Sequence, residues 1–304
     1  ISKKTGGGKY KPEELIAKES ADAVRYAMFG ATLGRDAYFD EKEVEKGRKL
    51  ATKLYNAGKL VLGGLQGFDP HASLAVGQST AFDQWIVQKT FLAAAGMAKA
   101  FEEYEYSQAR RIFEEFFWTD FCDNYLEIVK GRFLADLSDP AKLAVKISAQ
   151  NAGYQCYLSI LKMASPFIPH ITEEMYHAEI VKSSDPENGR DSVTAEADTG
   201  YFCRYEGIKS IHNTTWPAAS KKTEPEIDSI MSGAELALQI IAEGRKNKTE
   251  RQIKLSAGVS LLTIKCPAEK HEMLKPFLDD IAFVMRAQKT ILIDGPEIEI
   301  LVQD

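Results

Sequence analysis

Glu41-Lys42-Glu43-Val44-Glu45-Lys46-Gly47-Arg48-Lys49-Leu50-Ala51-Thr52-Lys53-Leu54-Tyr55-Asn56-Ala57-Gly58-Lys59-Leu60-Val61-Leu62-Gly63-Gly64-Leu65 is the stretch that decides the fold. Val44, Gly47, Leu50, Leu54, Ala57, Val61 and Leu65 recur every three or four positions, the period that puts side chains on one face of a helix. A helix this long with one apolar stripe must bury that stripe against other helices. Gly63-Gly64 and Gly67 weaken or stop it.

The same period returns downstream. A second helix begins after Thr80, with Asp83 three residues on as a weak capping-box match and Phe82, Trp85, Ile86, Ala93, Met97 and Ala100 as its stripe. A third runs from about Ser107 to Leu134, and a fourth starts after the cap pair Asp139-Pro140 and ends before Pro166. Thr172 is expected to cap a shorter fifth helix, with Glu173 and Glu174 placed for its dipole. Upstream, Pro12 to Phe29 reads as a short helix and the residues up to Asp40 as an extended connector. Long helices with short loops imply an antiparallel helical bundle.

Residues 183–207 read as a polar surface loop. Beyond Trp216-Pro217 come a helix from about Glu224 to Gly244, a basic run from Arg245 to Lys254, and an alternating strand from Val259 to Cys266. A helix from about Ala268 to Met285 follows, then two strands, Thr290 to Ile293 and Glu297 to Val302, that hinge on Asp294-Gly295. The fold class is therefore mainly α, a helical bundle with a small C-terminal α+β subdomain. The expected divisions are 1–40, 41–217 and 218–304.

Composition narrows the function. The 304 residues carry 44% hydrophobic and 27% charged residues, ordinary values for a globular chain able to bury a core. A net charge of -6 argues against a nucleic-acid binder driven by bulk charge, so any RNA contact must come from a local patch. Cys122, Cys156, Cys203 and Cys266 lie at least 34 positions apart, which excludes a Cys-x-x-Cys pair and leaves free thiols as the simplest account. His71, His170, His177, His212 and His271 are scattered, with no helical metal spacing, so no metal site is expected. No apolar run approaches the roughly 20 residues of a membrane span.

Several residues suit a nucleic-acid partner. Arg48, Lys49, Thr52, Lys53, Asn56 and Lys59 line one polar side of the first long helix, mixing phosphate-pairing cations with an amide that reads base edges. A solvated helix face has the same appearance. Phe113, Phe116, Phe117, Trp118 and Phe121 exceed one buried stripe, so either Trp118 faces outward, where it would stack on an unpaired base, or it packs in the core. Asp120, Asp123 and Glu127 read either as acid–base carboxylates or as the solvated edge of that helix. The run Arg245, Lys246, Lys248, Arg251 and Lys254 reads either as a phosphate contact or as a solvated loop. At the start, Ser2 and Lys3 with Gly6-Gly7-Gly8 and Lys9 suit phosphate handling, though a plain basic terminus looks alike.

Ordered blocks add a resemblance. They are Ser2-Lys3, Ala21-Asp22-Ala23-Val24-Arg25, Gly34-Arg35-Asp36, Phe39-Asp40-Glu41, Lys53-Leu54-Tyr55-Asn56-Ala57, Phe116 to Glu127, Ser165-Pro166-Phe167-Ile168-Pro169-His170-Ile171-Thr172-Glu173-Glu174, and Trp216-Pro217. In this order the chain resembles the valyl-tRNA synthetase family of class I aminoacyl-tRNA synthetases, from its Lys-Met-Ser-Lys-Ser loop onward. Only Ser2 and Lys3 match that loop strictly; Ile1 stands for its Met, Lys4 for its final Ser, and the leading Lys is absent. Isoleucyl and leucyl relatives share the bundle and the Pro-Phe-x-Pro turn, while the Gly34-x-Asp36 and Lys53 to Ala57 blocks favour valine.

The resemblance implies a C-terminal region that begins inside the catalytic loop, and it implies the parent reaction: valine is activated with ATP and esterified to the 3′ end of tRNA(Val). Lys3, with Ser2, would hold the departing pyrophosphate. It also implies that the first bundle helices meet the anticodon loop, which favours the RNA role of the Arg48 to Lys59 face. With no His-x-Gly-His-like motif and no nucleotide-binding fold in the chain, no ligase activity and no cofactor are expected for this region alone. The expected partner is tRNA(Val), with no DNA and no membrane, and a cytoplasmic monomer is expected. A helical interaction module without RNA binding is the distant alternative.

Overall fold

The computed structural model describes residues 11–36, 39–68, 79–133, 140–177, 208–218 and 225–303. Ser2, Lys3, the Gly6 to Lys9 loop, His71, Asp139, the 183–207 stretch and Cys203 lie outside them. The chain divides into two compact units, one from 1–71, 89–119 and 153–220, the other from 72–88, 120–152 and 221–304.

The first unit opens with α1 (Pro12–Glu19) and α2 (Ala21–Met28). Sequence periodicity suggests one helix here. Ser20 breaks it: its φ of 128° lies outside helical space, and its hydroxyl accepts a hydrogen bond from the Ala23 N–H at 3.2 Å, starting a new helix. After the turn at Gly34, with φ 76°, the Asp40 carboxylate accepts from the Lys42 N–H and begins α3 (Glu41–Gly64).

The buried face of α3 is the one read from the sequence, and its small residues let other elements approach. A Cβ at Gly47 would lie 2.8 Å from the Ala23 carbonyl of α2, and one at Gly58 would overlap the Tyr157 hydroxyl. That hydroxyl donates instead to the Leu54 carbonyl at 3.1 Å. A long helical run then comprises α4 (Ala81–Glu102), α5 (Tyr106–Glu115), a π-wound segment (Phe116–Tyr125) and α6 (Leu126–Phe133). Both α7 (Pro140–Ala164) and α8 (Pro169–Met175) follow.

Thr172 does not cap α8. The helix starts at Pro169, and the Thr172 hydroxyl donates back to the Ile168 and Pro169 carbonyls, both at 3.0 Å. The cap arrives from 148 residues away. The buried Asp22 carboxylate of α2 accepts from the N–H groups of His170 at 3.1 Å and Ile171 at 2.8 Å, while Arg25 donates to the Pro166 carbonyl. Phe167 meanwhile sits in an aromatic cluster with Tyr26, Phe29, Phe101 and Phe113. Two of the recognised sequence blocks are thus the two halves of one joint.

In the second unit, α9 (Pro225–Glu250) runs beyond the expected end at Gly244, where the absent side chain makes room for Met285. Strands β1 (Val259–Cys266), β2 (Ala287–Asp294) and β3 (Glu299–Gln303) form a sheet of order β2-β1-β3. The sequence suggested that the last two strands hinge directly on each other. In the structure both pair with β1 instead, β2 parallel and β3 antiparallel. The expected helix between β1 and β2 is broken at Pro276 into α10 (His271–Leu274) and α11 (Leu278–Met285).

A buried polar knot ties this unit together. Asp83 of α4, 1% exposed, accepts from the hydroxyls of Thr80, Tyr125 and Ser148 and from Arg132 at 3.0 Å. Arg132 of α6 reaches Asp280 of α11 with its other terminal nitrogen. Burial pushes the Asp280 carboxyl up to about 6 despite the neighbouring guanidinium. No helix among the described residues is long and apolar enough to cross a membrane.

Candidate nucleic-acid interface

The outward side of α3 belongs to the first unit and is held by two joints. One is the Asp22 cap on α8. The other is Arg110 of α5, which donates to the Glu43 carboxylate at 2.8 Å and to the Tyr26 carbonyl, with its guanidinium 4.8 Å from the Tyr26 ring centroid. Burial pushes the Glu43 carboxyl up, but bonds from Lys46 and Arg110 outweigh it and hold it below the ordinary carboxylate range. The Tyr26 hydroxyl bonds Glu114, and burial drives its titration well above that of a free tyrosine. With α2 and α5 bonded to its first turns, α3 presents its far side as a ridge.

The six α3 candidates divide along that ridge. Arg48 turns toward α1 and pairs with Glu19 at 3.2 Å, while Lys49 pairs with Glu45 at 2.9 Å one turn back. The Thr52 hydroxyl donates to the Arg48 carbonyl at 3.0 Å. Asn56 is exposed, and the Lys59 ammonium lies 5.5 Å from the Tyr55 ring centroid. Lys53 crosses to Trp118, its ammonium 5.4 Å from that ring centroid. Lys49–Glu45 is exposed on both sides, and such surface pairs are weak, whereas Glu19 in the Arg48 pair is partly covered.

Trp118 is half-buried, whereas Phe113, Phe116, Phe117 and Phe121 are fully inside. Winding explains how so many rings fit. In the π-wound segment backbone hydrogen bonds span five residues instead of four, and the buried positions Phe116, Phe121 and Leu126, with Phe117 and Cys122, recur at that wider spacing. Trp118, out of that register, rests edge-on against Phe117 and reaches Lys53. The ridge therefore offers cations, an amide and a partly open indole, the kinds of group that bind RNA phosphates and unpaired bases.

Other candidates separate from this site. Glu127 takes the Lys130 ammonium, Asp123 is exposed and Asp120 is half-buried. The basic run near residue 250 is no common patch: Lys248 is 1% exposed and donates to the Ala257 and Met285 carbonyls at 2.8 and 2.7 Å, and Arg251 donates to the Val302 carbonyl. His170 Nδ1 lies 2.7 Å from Asp22, and His177 Nε2 3.2 Å from Glu173. No cluster of three metal-ligating side chains occurs among the described residues. Tyr55, which stands beside the Lys53 and Asn56 candidates in sequence but is not among them, is 41% exposed.

Comparison with known proteins follows the same lines. The valine–tRNA ligase of Orientia tsutsugamushi (strain Boryong) is 32% identical over 296 residues, covering 94% of this chain and 31% of that protein. That of Methanothermobacter thermautotrophicus is 30% identical over 297 residues, covering 97% of this chain and 29% of that protein. The chain thus spans less than a third of the length of these curated relatives. Residues 83–263 match the family described as the anticodon-binding domain of tRNA ligase, a span that includes Trp118 and follows α3. The chain belongs to that family of tRNA-ligase anticodon-binding domains.

Proposed function

We propose that this chain is the anticodon-binding region of a valine–tRNA ligase, and that the ridge of α3 with Trp118 receives the anticodon arm of tRNA(Val). The observation that carries this reading is the meeting of Lys53 and Trp118, a cation and a half-open indole supplied by two different elements. Valine as the amino acid is supported by the relatives named above, whose likeness extends over nearly the whole chain. Lys49, Lys53 and Lys59 pair with backbone phosphates, Thr52 and Asn56 supply hydroxyl and amide contacts, and Trp118 stacks on an unpaired base. Arg48 serves the phosphate backbone once it leaves Glu19.

In the parent enzyme, a cytoplasmic monomer, ATP-dependent activation of valine would take place in domains other than the bundle, with Ser2 and Lys3 at the edge of that catalytic site. The region itself selects and holds tRNA without performing the reaction. The test is the salt dependence of binding to a valine tRNA transcript, beside an isoleucine tRNA and a valine tRNA with a swapped anticodon. A preference for valine tRNA that disappears on the swap supports an anticodon reader. Equal binding to all three overturns that role.

A further inference from the structure

Tyr55 is the exposed aromatic residue of α3: it is 41% exposed, as Leu60 is at 38%, while Val44, Leu50, Leu54, Ala57 and Val61 are buried. At about 100° per residue, Lys53 and Tyr55 fall on opposite margins of the exposed side, with Thr52 and Asn56 between them. Each margin carries the same device. On one, the Lys53 ammonium lies 5.4 Å from the Trp118 centroid; on the other, the Lys59 ammonium lies 5.5 Å from the Tyr55 centroid.

We propose that Tyr55 is a second base-stacking platform, taking an unpaired RNA base on the flank of the ridge opposite Trp118, with Lys59 turning to the phosphate beside that base. The inference rests on the RNA-binding reading of the ridge and adds a residue to it. An anticodon loop laid across α3 then has its backbone over Thr52 and Asn56 and a base splayed to each side. Stacking needs an open ring face and tolerates any base, and a nearby cation neutralises the adjoining phosphate. Tyr104 serves as the contrasting case: it is more exposed, at 67%, but lies on the turn after α4 with φ 60° and faces Tyr106.

The test uses the 304-residue chain and a valine tRNA carrying 2-aminopurine in its anticodon loop. Tyr55→Ala and Tyr55→Leu are expected to weaken binding about 5- to 100-fold and to remove the stacking quench, while Tyr55→Phe keeps both. Because tyrosine carries no charge, the dependence of affinity on salt should keep its slope in all three variants. Tyr104→Ala should bind as the unaltered chain does, and thermal melts followed by circular dichroism identify any variant that fails to fold. If the unaltered chain binds tRNA but Tyr55→Ala and Tyr55→Leu bind equally well, the platform is disproved and the RNA-binding ridge survives. If the unaltered chain does not bind tRNA, both fall together.

Discussion

The outer side of α3 and the knot around Arg132 contain the same kinds of residue and use them in opposite ways. On α3, Arg48, Lys49 and Lys59 are exposed and Lys53 is half-buried, each beside an acid or a ring at the surface, as Lys49 is beside Glu45 and Arg48 beside Glu19. In the second unit Arg132 is enclosed between Asp83 and Asp280, with the hydroxyls of Thr80, Tyr125 and Ser148 completing the shell of Asp83. A charge held loosely in solvent is available to a ligand. A charge held inside is part of the scaffold, because exposing it would leave its partners buried and unpaired.

The sharpest way to break this contrast is Arg132→Ala. It leaves two buried carboxylates without their cation and should cost about 3–5 kcal/mol in urea denaturation. Loss of less than about 1 kcal/mol would place the knot with ordinary surface pairs.

Asp280→Asn gives a smaller, pH-dependent effect. The native carboxyl titrates near 6 rather than 3.8, so the folded chain binds a proton more tightly than the unfolded one. The stability that this proton contributes is complete below about pH 4 and is lost as pH rises through 6, a change on the order of 3 kcal/mol. The asparagine variant should lack that decline. Denaturation midpoints measured from pH 4 to pH 7 decide the matter, and parallel curves for the two proteins would sink the prediction.

Much of the architecture was legible because it is periodic. The stripe from Val44 to Val61 specifies α3 and its buried face, and the alternation from Val259 to Cys266 specifies β1. What escaped is set by distant partners. No local pattern announces that Asp22 caps a helix 148 residues away, or that β3 pairs with the edge of β1 opposite β2. The break at Ser20 escaped for a different reason: serine is tolerated within helices, and only the cap it forms shows where α2 begins. At the candidate site the residue types were legible but their meeting was not. Lys53 and Trp118 lie 65 positions apart in sequence, and only the fold of the first unit brings the ammonium over the ring.

Two lysines put the contrast in its most direct form. Lys248 stands in the densest basic run of the sequence, yet its ammonium is buried against the carbonyls of Ala257 and Met285. Lys248→Met should therefore destabilise the fold by about 2–3 kcal/mol, since two charge-assisted hydrogen bonds are lost and their acceptors stay buried. Below the melting range it should leave the salt dependence of tRNA binding unchanged. Lys53→Gln should do the reverse. Stability should hold to within about 0.5 kcal/mol, as for most surface substitutions. The slope of log affinity against log salt should fall by about one, the signature of a single lost phosphate contact, with a several-fold loss of affinity at low salt. Measured side by side, the pair distinguishes position from composition: a slope that changes with Lys248 and not with Lys53 would move the RNA-binding surface off α3 altogether.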